Sequence, residues 1–456
     1  MSVIFILGGS AADELNGGAF DDATAMVWAN AQGDNGAALF SNNACTVDAN
    51  VNDVRITRAG YFAVDLAGVY AYCDFPSNYA AGRYKIKSSD VNSITIDLLW
   101  SADIVPPSTT ANVGGAVKQG AADDTTHIQA ILESAVAGDT IKIQGDLDVA
   151  AELDLNAVGN AGTIGLWITL EGVNSAGVRI ARTETQPIIT ATNESMDNIL
   201  DLNLLYWQIN GLSFDADNLA DTGVTIGTGG DYGVIDYCEF YNSKNDGLYC
   251  NGSFNSITNC ESYDNDDDGI WCGYGKNVVI NCISHDNGGE GIHCYTGQVL
   301  MLNCISHGNG GAGFRLYGTS AFYTQLINCT SDNNGTYGLE IKKGAYFTLI
   351  QNCIFSNNAQ YGVYFGDVAE VDSVLYVKNN NAYGNGTDPC NAGTWATPGD
   401  VDSDNVEVDP AFEADFTPTN SLIIFGGMPD VNDNPTPIGA ILKRNLPTAG
   451  FGGGFN

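Results

Sequence analysis

Residues 280–294 read INCISHDNGGEGIHC, residues 302–316 read LNCISHGNGGAGFRL, and residues 327–341 read INCTSDNNGTYGLEI. Carried backwards from Cys304, a step of 22 lands on Cys282, Cys260 and Cys238. A second series at the same period joins Cys294, Cys272 and Cys250, and Cys329 and Cys353 continue the first after small insertions. Self-similarity at a period of roughly 20–50 residues marks a solenoid or array, in which each unit buries its inner face against the next.

Other columns share the period. Three residues before each cysteine of the first series stands an apolar residue (Ile235, Ile257, Val279, Met301, Leu326, Ile350). Asparagine precedes the cysteine in five of six units (Asn259, Asn281, Asn303, Asn328, Asn352), Tyr237 being the exception, and glycine follows nine residues later (Gly247, Gly269, Gly291, Gly313, Gly338, Gly362). Apolar residues two apart with a polar one between are the signature of a strand, whose side chains alternate between faces. Short strands joined by Gly/Asn/Asp corners must stack to bury their inner face. A buried amide at a bend can donate to and accept from its copies in adjacent coils, and a recurrent corner glycine suits a positive φ or a close backbone approach. A leucine-rich horseshoe needs a leucine framework and helical segments, and an RTX-type Ca²⁺ roll needs a shorter repeat. Neither fits. The expected fold is all-β, a right-handed parallel β-helix of about 22–25 residues per coil, with about eleven coils.

With 54 acidic and 17 basic residues in 456, the formal charge is −37. Such a surface repels nucleic acid and anionic membrane, so neither is expected as a direct partner; it favours cations and solubility, and suits a salt-rich habitat equally well. The opening MSVIFILG lacks a basic n-region and reads as no signal peptide, and no segment is long and apolar enough to span a bilayer. Nine of the twelve cysteines fall in the two inward columns. Without a CxxC spacing they read as small buried filler rather than as disulfides or metal ligands.

Residues 1–115 lack the period; Ala59–Val69, Gly82–Lys87 and Ser93–Trp100 alternate like strands and suggest a small β-rich attachment domain. Residues 116–145 form a linker, a capping helix over Ala121–Ala137 and a first strand at Thr140–Ile143, the helix covering an otherwise open strand edge. The β-helix is expected over 146–425, with irregular coils to residue 228 and a period that fades past Phe365. A closing strand at Ser421–Phe425 precedes a closing segment and Gly/Phe-rich tail at 426–456.

The three repeats quoted above, the segment ADDTTHIQAILESAVAGDTIKIQGD at 122–146 and the closing VDPAFEADFTPTNSLIIFGG resemble the pectate-lyase-like right-handed β-helix family in its small-repeat form. Relatives there include polysaccharide lyases, hydrolases, epimerases and phage tailspikes, so the resemblance implies a fold and leaves the activity open. Residues 1–115, with NSITIDLLWSAD and NVGGAV, resemble β-modules that precede β-helices in phage virion proteins.

The repeat says which side chains face outward. One column comprises Tyr249, Trp271, His293, Arg315, Glu340 and Tyr364, and another Tyr241, Tyr263, His285 and His307. A ladder of aromatic, imidazole and guanidinium groups suits sugar rings; equally, such ladders stabilise a stack. The corner carries acids at Asp246, Asp268 and Glu290, and Asp264, Asp266 and Asp268 match the first half of a Ca²⁺ loop whose twelfth position would be Gly275. Asp264, Asp266, Asp268 and Glu290 are therefore candidate ligands for Ca²⁺ or another hard cation, the alternative being a solvated acidic corner. As an enzyme, the resemblance implies a lyase with Ca²⁺ and a basic residue, for which only Arg315 is placed, or a hydrolase with paired carboxylates, for which Asp268/Glu290 and Glu239/Glu261 are candidates. The leading expectation is a virion-type structural protein, made in the host cytoplasm, homo-oligomeric (a trimer favoured) and contacting the particle, neighbouring subunits or glycans. The alternatives are a carbohydrate-active enzyme at an extracellular or cell-surface location, and a filament or surface-layer subunit.

Overall fold

The structure, a computed structural model, describes residues 128–416 with short gaps and, nearer the N-terminus, six strands between Val3 and Asp97. From Thr140 onward, each coil supplies one short strand to each of three parallel sheets. Sheet 1 has 12 strands, from Val3–Leu7 and Thr140–Gln144 to Val401–Ser403. Sheet 2 has 10, from Leu147–Val149 to Asn381–Tyr383, and sheet 3 has 10, from Leu153–Asp154 to Asp388–Cys390. Every neighbouring pair in these sheets is parallel and in register, as in Ile235↔Ile257↔Val279↔Met301, and the crossovers give a right-handed parallel β-helix.

Among the described residues ten coils are complete, with one further sheet 1 strand at each end, close to the eleven expected with flanks counted. The coils before residue 228 keep the same three-strand order at uneven spacing, and past Phe365, where the period fades, Leu375–Lys378, Asn381–Tyr383 and Asp388–Cys390 form one more coil after an insertion. The insertion shifts the spacing that a fixed count follows, while the stacking continues.

The core is a single column of buried apolar side chains along the axis, running from Ile128 and Leu132 to Val377 and Cys390. Both cysteine series lie in it as free, fully buried thiols, the place expected for small apolar filler. The asparagines ahead of the first series adopt left-handed φ, 56° at Asn259, 55° at Asn281 and 57° at Asn303. Tyr237, the exception in type, takes φ 55° there too. The corner glycines are needed for space instead. A Cβ on Gly269 would sit 2.7 Å from Asn287 Nδ2 and 2.8 Å from the Gly291 carbonyl oxygen.

That glycine corner accommodates an inner asparagine ladder. Asn265 Nδ2 donates to Asn287 Oδ1 (2.8 Å), Asn287 to Asn309 (2.9 Å), Asn309 to Asn334 (2.9 Å) and Asn334 to Asn358 (2.9 Å). Each Oδ1 also accepts the backbone N–H one coil below, so buried amides satisfy one another along the axis.

At the start of the solenoid, Ile128, Leu132 and Ala135 of the expected helix are buried against the first coils; its ends lie outside the described residues. Val3–Leu7 pairs in parallel with Thr140–Gln144, so the first strand of the chain extends sheet 1. Five further strands, ordered Thr46–Asn50, Asp53–Thr57, Ser93–Asp97, Gly82–Asp90 and Tyr70–Cys73, form an antiparallel sheet. The strands expected at Ala59–Val69 and Ser421–Phe425 and the Gly/Phe tail lie outside the described residues.

Candidate functional site

Sheet 3 carries the first outward column in one register: Tyr249↔Trp271↔His293↔Arg315↔Glu340↔Tyr364. The corner acids Asp246, Asp268 and Glu290 lie beside it, one coil apart, tied by backbone bonds from Gly247 N to Asp268 O and from Gly269 N to Glu290 O. Periodicity thus brings residues about 22–25 apart in the chain into one cluster on an outer face.

The centre of the column is not a solvated face. His293 is only 8% exposed and Glu340 5%, with Asp268 at 3%. His293 Nδ1 lies 2.6 Å from Asp268 Oδ2, whose other oxygen accepts the Glu290 N–H at 2.8 Å. His293 Nε2 is buried and, among the described residues, has no hydrogen-bond partner. Arg315 Nη1 donates to Glu290 Oε1 at 2.5 Å and its Nε faces Glu340 Oε2 at 3.0 Å; Lys342 Nζ closes the chain on Glu340 Oε1 at 2.9 Å.

Burial dominates the electrostatics. It pushes His293 down to about 4, helped by the Arg315 charge, so the imidazole is neutral at pH 7. Burial also pushes Asp268 up to about 6, opposed by hydrogen bonds from Glu290, and Asp246 up to about 8, reinforced by Asp268 and Asp267. Glu290 is raised by burial and by its hydrogen bond with Asp268. At neutral pH the ionised Asp268 can only accept, so the imidazole proton sits on Nδ1 and Nε2 carries an unprotonated lone pair that is covered from solvent. Trp271 and Tyr295 meet that ring edge-on at 6.2 and 6.3 Å, and Tyr295 leads on to Tyr317 at 5.3 Å.

The second column lies on sheet 2 as expected, Tyr241↔Tyr263↔His285↔His307. Its rings are stacked on one another, with centroids 4.9, 5.2 and 4.9 Å apart and planes within 6°. Their faces are therefore covered by neighbours, and a ligand there meets ring edges. His285 lies between Asp286 (2.8 Å) and Glu261 (3.1 Å). Burial alone would lower His285, but these hydrogen bonds carry it above its ordinary value. Phe416 stacks on His307 at 4.5 Å, closing the upper end.

Among the candidate metal ligands, Asp268, Glu290 and His293 present atoms within 4.8 Å of one another. Asp264 and Asp266 are exposed and do not join that group. The cluster does not fit the Ca²⁺ that the family resemblance implies: such an ion takes about six to eight oxygen ligands, whereas here one donor is an imidazole and Arg315 already pairs with Glu290. A second acidic group, Glu152, Asp154 and Asp201, occupies the first coils of sheet 3. The column arithmetic placed Tyr249, Trp271, His293 and Arg315 together; it missed the Asp268–His293 bond, the Lys342 terminus and the Tyr295–Tyr317 pair, whose own 22-residue spacing was the signal available.

A family model described as "Pel9A-like, right handed beta helix region" matches residues 109–388. Among curated proteins none matches the sequence. Solved structures of similar fold include pectate lyase Pel9A (16% identity over 68% of this chain and 90% of that one, TM-score 0.44). A rhamnogalacturonan lyase gives 16% identity over 66% and 90% with TM-score 0.47, and ORF18 of Geobacillus virus E2 gives 14% over 59% and 56% with TM-score 0.40.

Proposed function

The chain belongs to the Pel9A-like right-handed β-helix family, and from that premise we propose that it is a carbohydrate-active enzyme, an eliminating polysaccharide lyase whose base is His293. The observation that carries this is the buried Nε2 of a neutral imidazole whose Nδ1–H is held by Asp268 at 2.6 Å. A purely structural face has no need to bury a carboxylate–imidazole pair beside a guanidinium, and displaced pKa values concentrate at working sites.

The geometry also discriminates between reactions. Retaining and inverting hydrolases hold two carboxyl groups about 5–9.5 Å apart to straddle the glycosidic bond. Asp268 and Glu290 instead turn to protein partners, Asp268 to His293 Nδ1 and Glu290 to Arg315, rather than facing each other across an open gap. A base acting alone suits elimination from a uronic acid. Once Trp271 and Tyr295, which lie against the ring, turn aside to uncover it, His293 Nε2 takes the proton α to the carboxylate, the carbon–oxygen bond to the leaving sugar breaks, and the electron pair forms the carbon–carbon double bond. Water returns a proton to the departing oxygen, while Arg315, held between Glu290 and Glu340, is the guanidinium beside the base that a uronate would meet. Ca²⁺ does not enter this scheme, because the cluster does not fit it.

The test is incubation with a panel of polyuronates, products being read by mass for unsaturated non-reducing ends. A protein that leaves every member uncut, at protein concentrations sufficient for slow turnover, sinks the enzymatic reading. One observation favours a second reading, a virion-type spike, fibre or decoration protein: the sheet 2 rings stack on one another, as a rod stabilised for its own sake would have them. Under it, residues 1–115 attach the rod to a particle, a trimer is the favoured assembly, and mass spectrometry of purified particles finds the chain.

A further inference from the structure

A cavity of about 350 Å³ lies at the foot of the sheet 2 ring stack, between the corner and the outer face. It spans three coils: Glu184 and Gln186 come from the lowest, Ser213 from the next, and Tyr237, Glu239 and Tyr241 from the third. Its volume is at the lower end of the range for small-molecule sites, about 300–1,000 Å³, and it lies on a different sheet from His293.

Its chemistry follows from where the stack ends. Upward, Tyr241 is covered by Tyr263 at 4.9 Å. Downward, the positions in register are Asp215 and Thr190, so no ring continues the column. The Asp215 carboxylate is turned to Asn242 Nδ2 (2.8 Å) and the Asp217 N–H (2.9 Å). Tyr241 therefore ends the ring stack as a wall of the cavity, with Tyr237 the second tyrosine of its lining. Ser213 Oγ is 2.8 Å from Gln186 Oε1 and 3.2 Å from Glu239 Oε2, and Gln186 Nε2 donates to the Tyr237 carbonyl at 2.9 Å, fixing the polar floor. At the mouth, the Ala181 N–H and Asn174 hold the Glu184 carboxyl below its usual range, keeping it ionised.

No residue lining the cavity has a cationic side chain. The local field is negative: burial, then Asp215, Tyr263, Glu239 and Asp146, raise the Tyr241 hydroxyl. An aromatic wall attracts both the apolar face of a sugar and a cation, two carboxylates attract a cation, and an amide and a hydroxyl order hydroxyl groups.

We propose that this cavity is a binding site for a single hexose unit bearing a protonated amine, with the sugar against Tyr241 and the ammonium between Glu184 and Glu239. The site is separate from the proposed catalytic cluster and does not depend on it.

The probe is methyl 2-amino-2-deoxy-β-glucopyranoside, titrated calorimetrically against the full chain in about 0.15 M salt, where exposed charges are largely screened beyond a Debye length of about 8 Å. A monovalent single sugar avoids the diffuse attraction that any polycation has for so acidic a chain. The expected result is saturable binding that weakens at least tenfold with Glu239→Gln or Tyr241→Ala, weakens measurably with the exposed Glu184→Gln, and is unchanged by His293→Gln. Methyl β-glucopyranoside and cyclohexylamine should each bind at least tenfold more weakly. If Tyr241→Ala fails to fold, Glu184→Gln and Glu239→Gln decide alone. Absence of saturable binding, equal binding by those two variants, or equal binding of either control ligand overturns the proposal.

Discussion

His293 Nδ1 lies 2.6 Å from Asp268 Oδ2 although the two residues are 25 apart in the chain and belong to successive coils. The contact crosses from a corner position to a sheet 3 position, and burial of both partners makes it consequential. The imidazole stays neutral with its proton on Nδ1, and Asp268 holds it there. Asp268 is accordingly a positioning residue. Asp268→Asn should fold, shift the His293 tautomer in ¹⁵N NMR spectra and lower lyase turnover about 10²–10⁴-fold, the usual contribution of a positioned base. An unchanged tautomer would show that Asp268 does not set it.

The same cluster predicts how stability depends on pH. A carboxyl whose folded pKa is raised contributes most below its ordinary value, and that contribution is lost as pH rises through the folded one. Asp268 therefore loses its contribution between 3.8 and about 6, and Asp246 between 3.8 and about 8. His293 behaves oppositely: its neutral form is favoured in the fold, so its contribution is complete above 6.5 and lost as pH falls through about 4. Asp246→Asn removes the alkaline loss, so its melting temperature relative to wild type should rise from about pH 5 to about pH 8.5. A difference independent of pH would contradict the assignment.

Interrupting the inner amide ladder should be costly and local. Asn287→Ala removes the Oδ1 that accepts both the Asn265 N–H (3.2 Å) and Asn265 Nδ2 (2.8 Å). Leaving buried donors unpaired costs about 1–3 kcal/mol each, so urea unfolding should show destabilisation of that order. An exposed control such as Asp267→Ala, at an ordinary φ and away from the core amides, should cost less.

Most of the solenoid was legible because its side chains obey one count. The cysteine columns marked the inward faces, and every outward residue named from them lies in the register expected, from Tyr249 to Tyr364 and from Tyr241 to His307. The inner ladder was equally countable, since Asn265, Asn287 and Asn309 each stand five residues after a cysteine, yet asparagine among Gly and Asp reads as a corner. What a count cannot convey is depth. Nothing in the letters distinguishes an outward His293 that is covered from an outward Trp271 that is partly exposed. Nor could the period show that stacked rings cover each other's faces, which limits sheet 2 as a platform for sugars.

The thiols offer a check on the fold itself. Ten cysteines from Cys238 to Cys390 are buried, and burial raises the thiols of Cys250, Cys260, Cys282, Cys304 and Cys329. Thiol reagents need an accessible thiolate. Native protein should leave these ten unlabelled, with labelling appearing only in denaturant; rapid native labelling of Cys282 or Cys304 would contradict the placement of the first column in the core.

The most direct test of the central claim is chemical rescue at the proposed base. Wild type, His293→Gly, and His293→Gly with added imidazole are compared on whichever polyuronate yields unsaturated ends, with folding monitored by circular dichroism. A base at this position predicts turnover in wild type that rises with pH through about 6 as Asp268 ionises. It also predicts loss in His293→Gly and partial return with imidazole. Undiminished elimination by folded His293→Gly, or loss that imidazole does not restore, would contradict it.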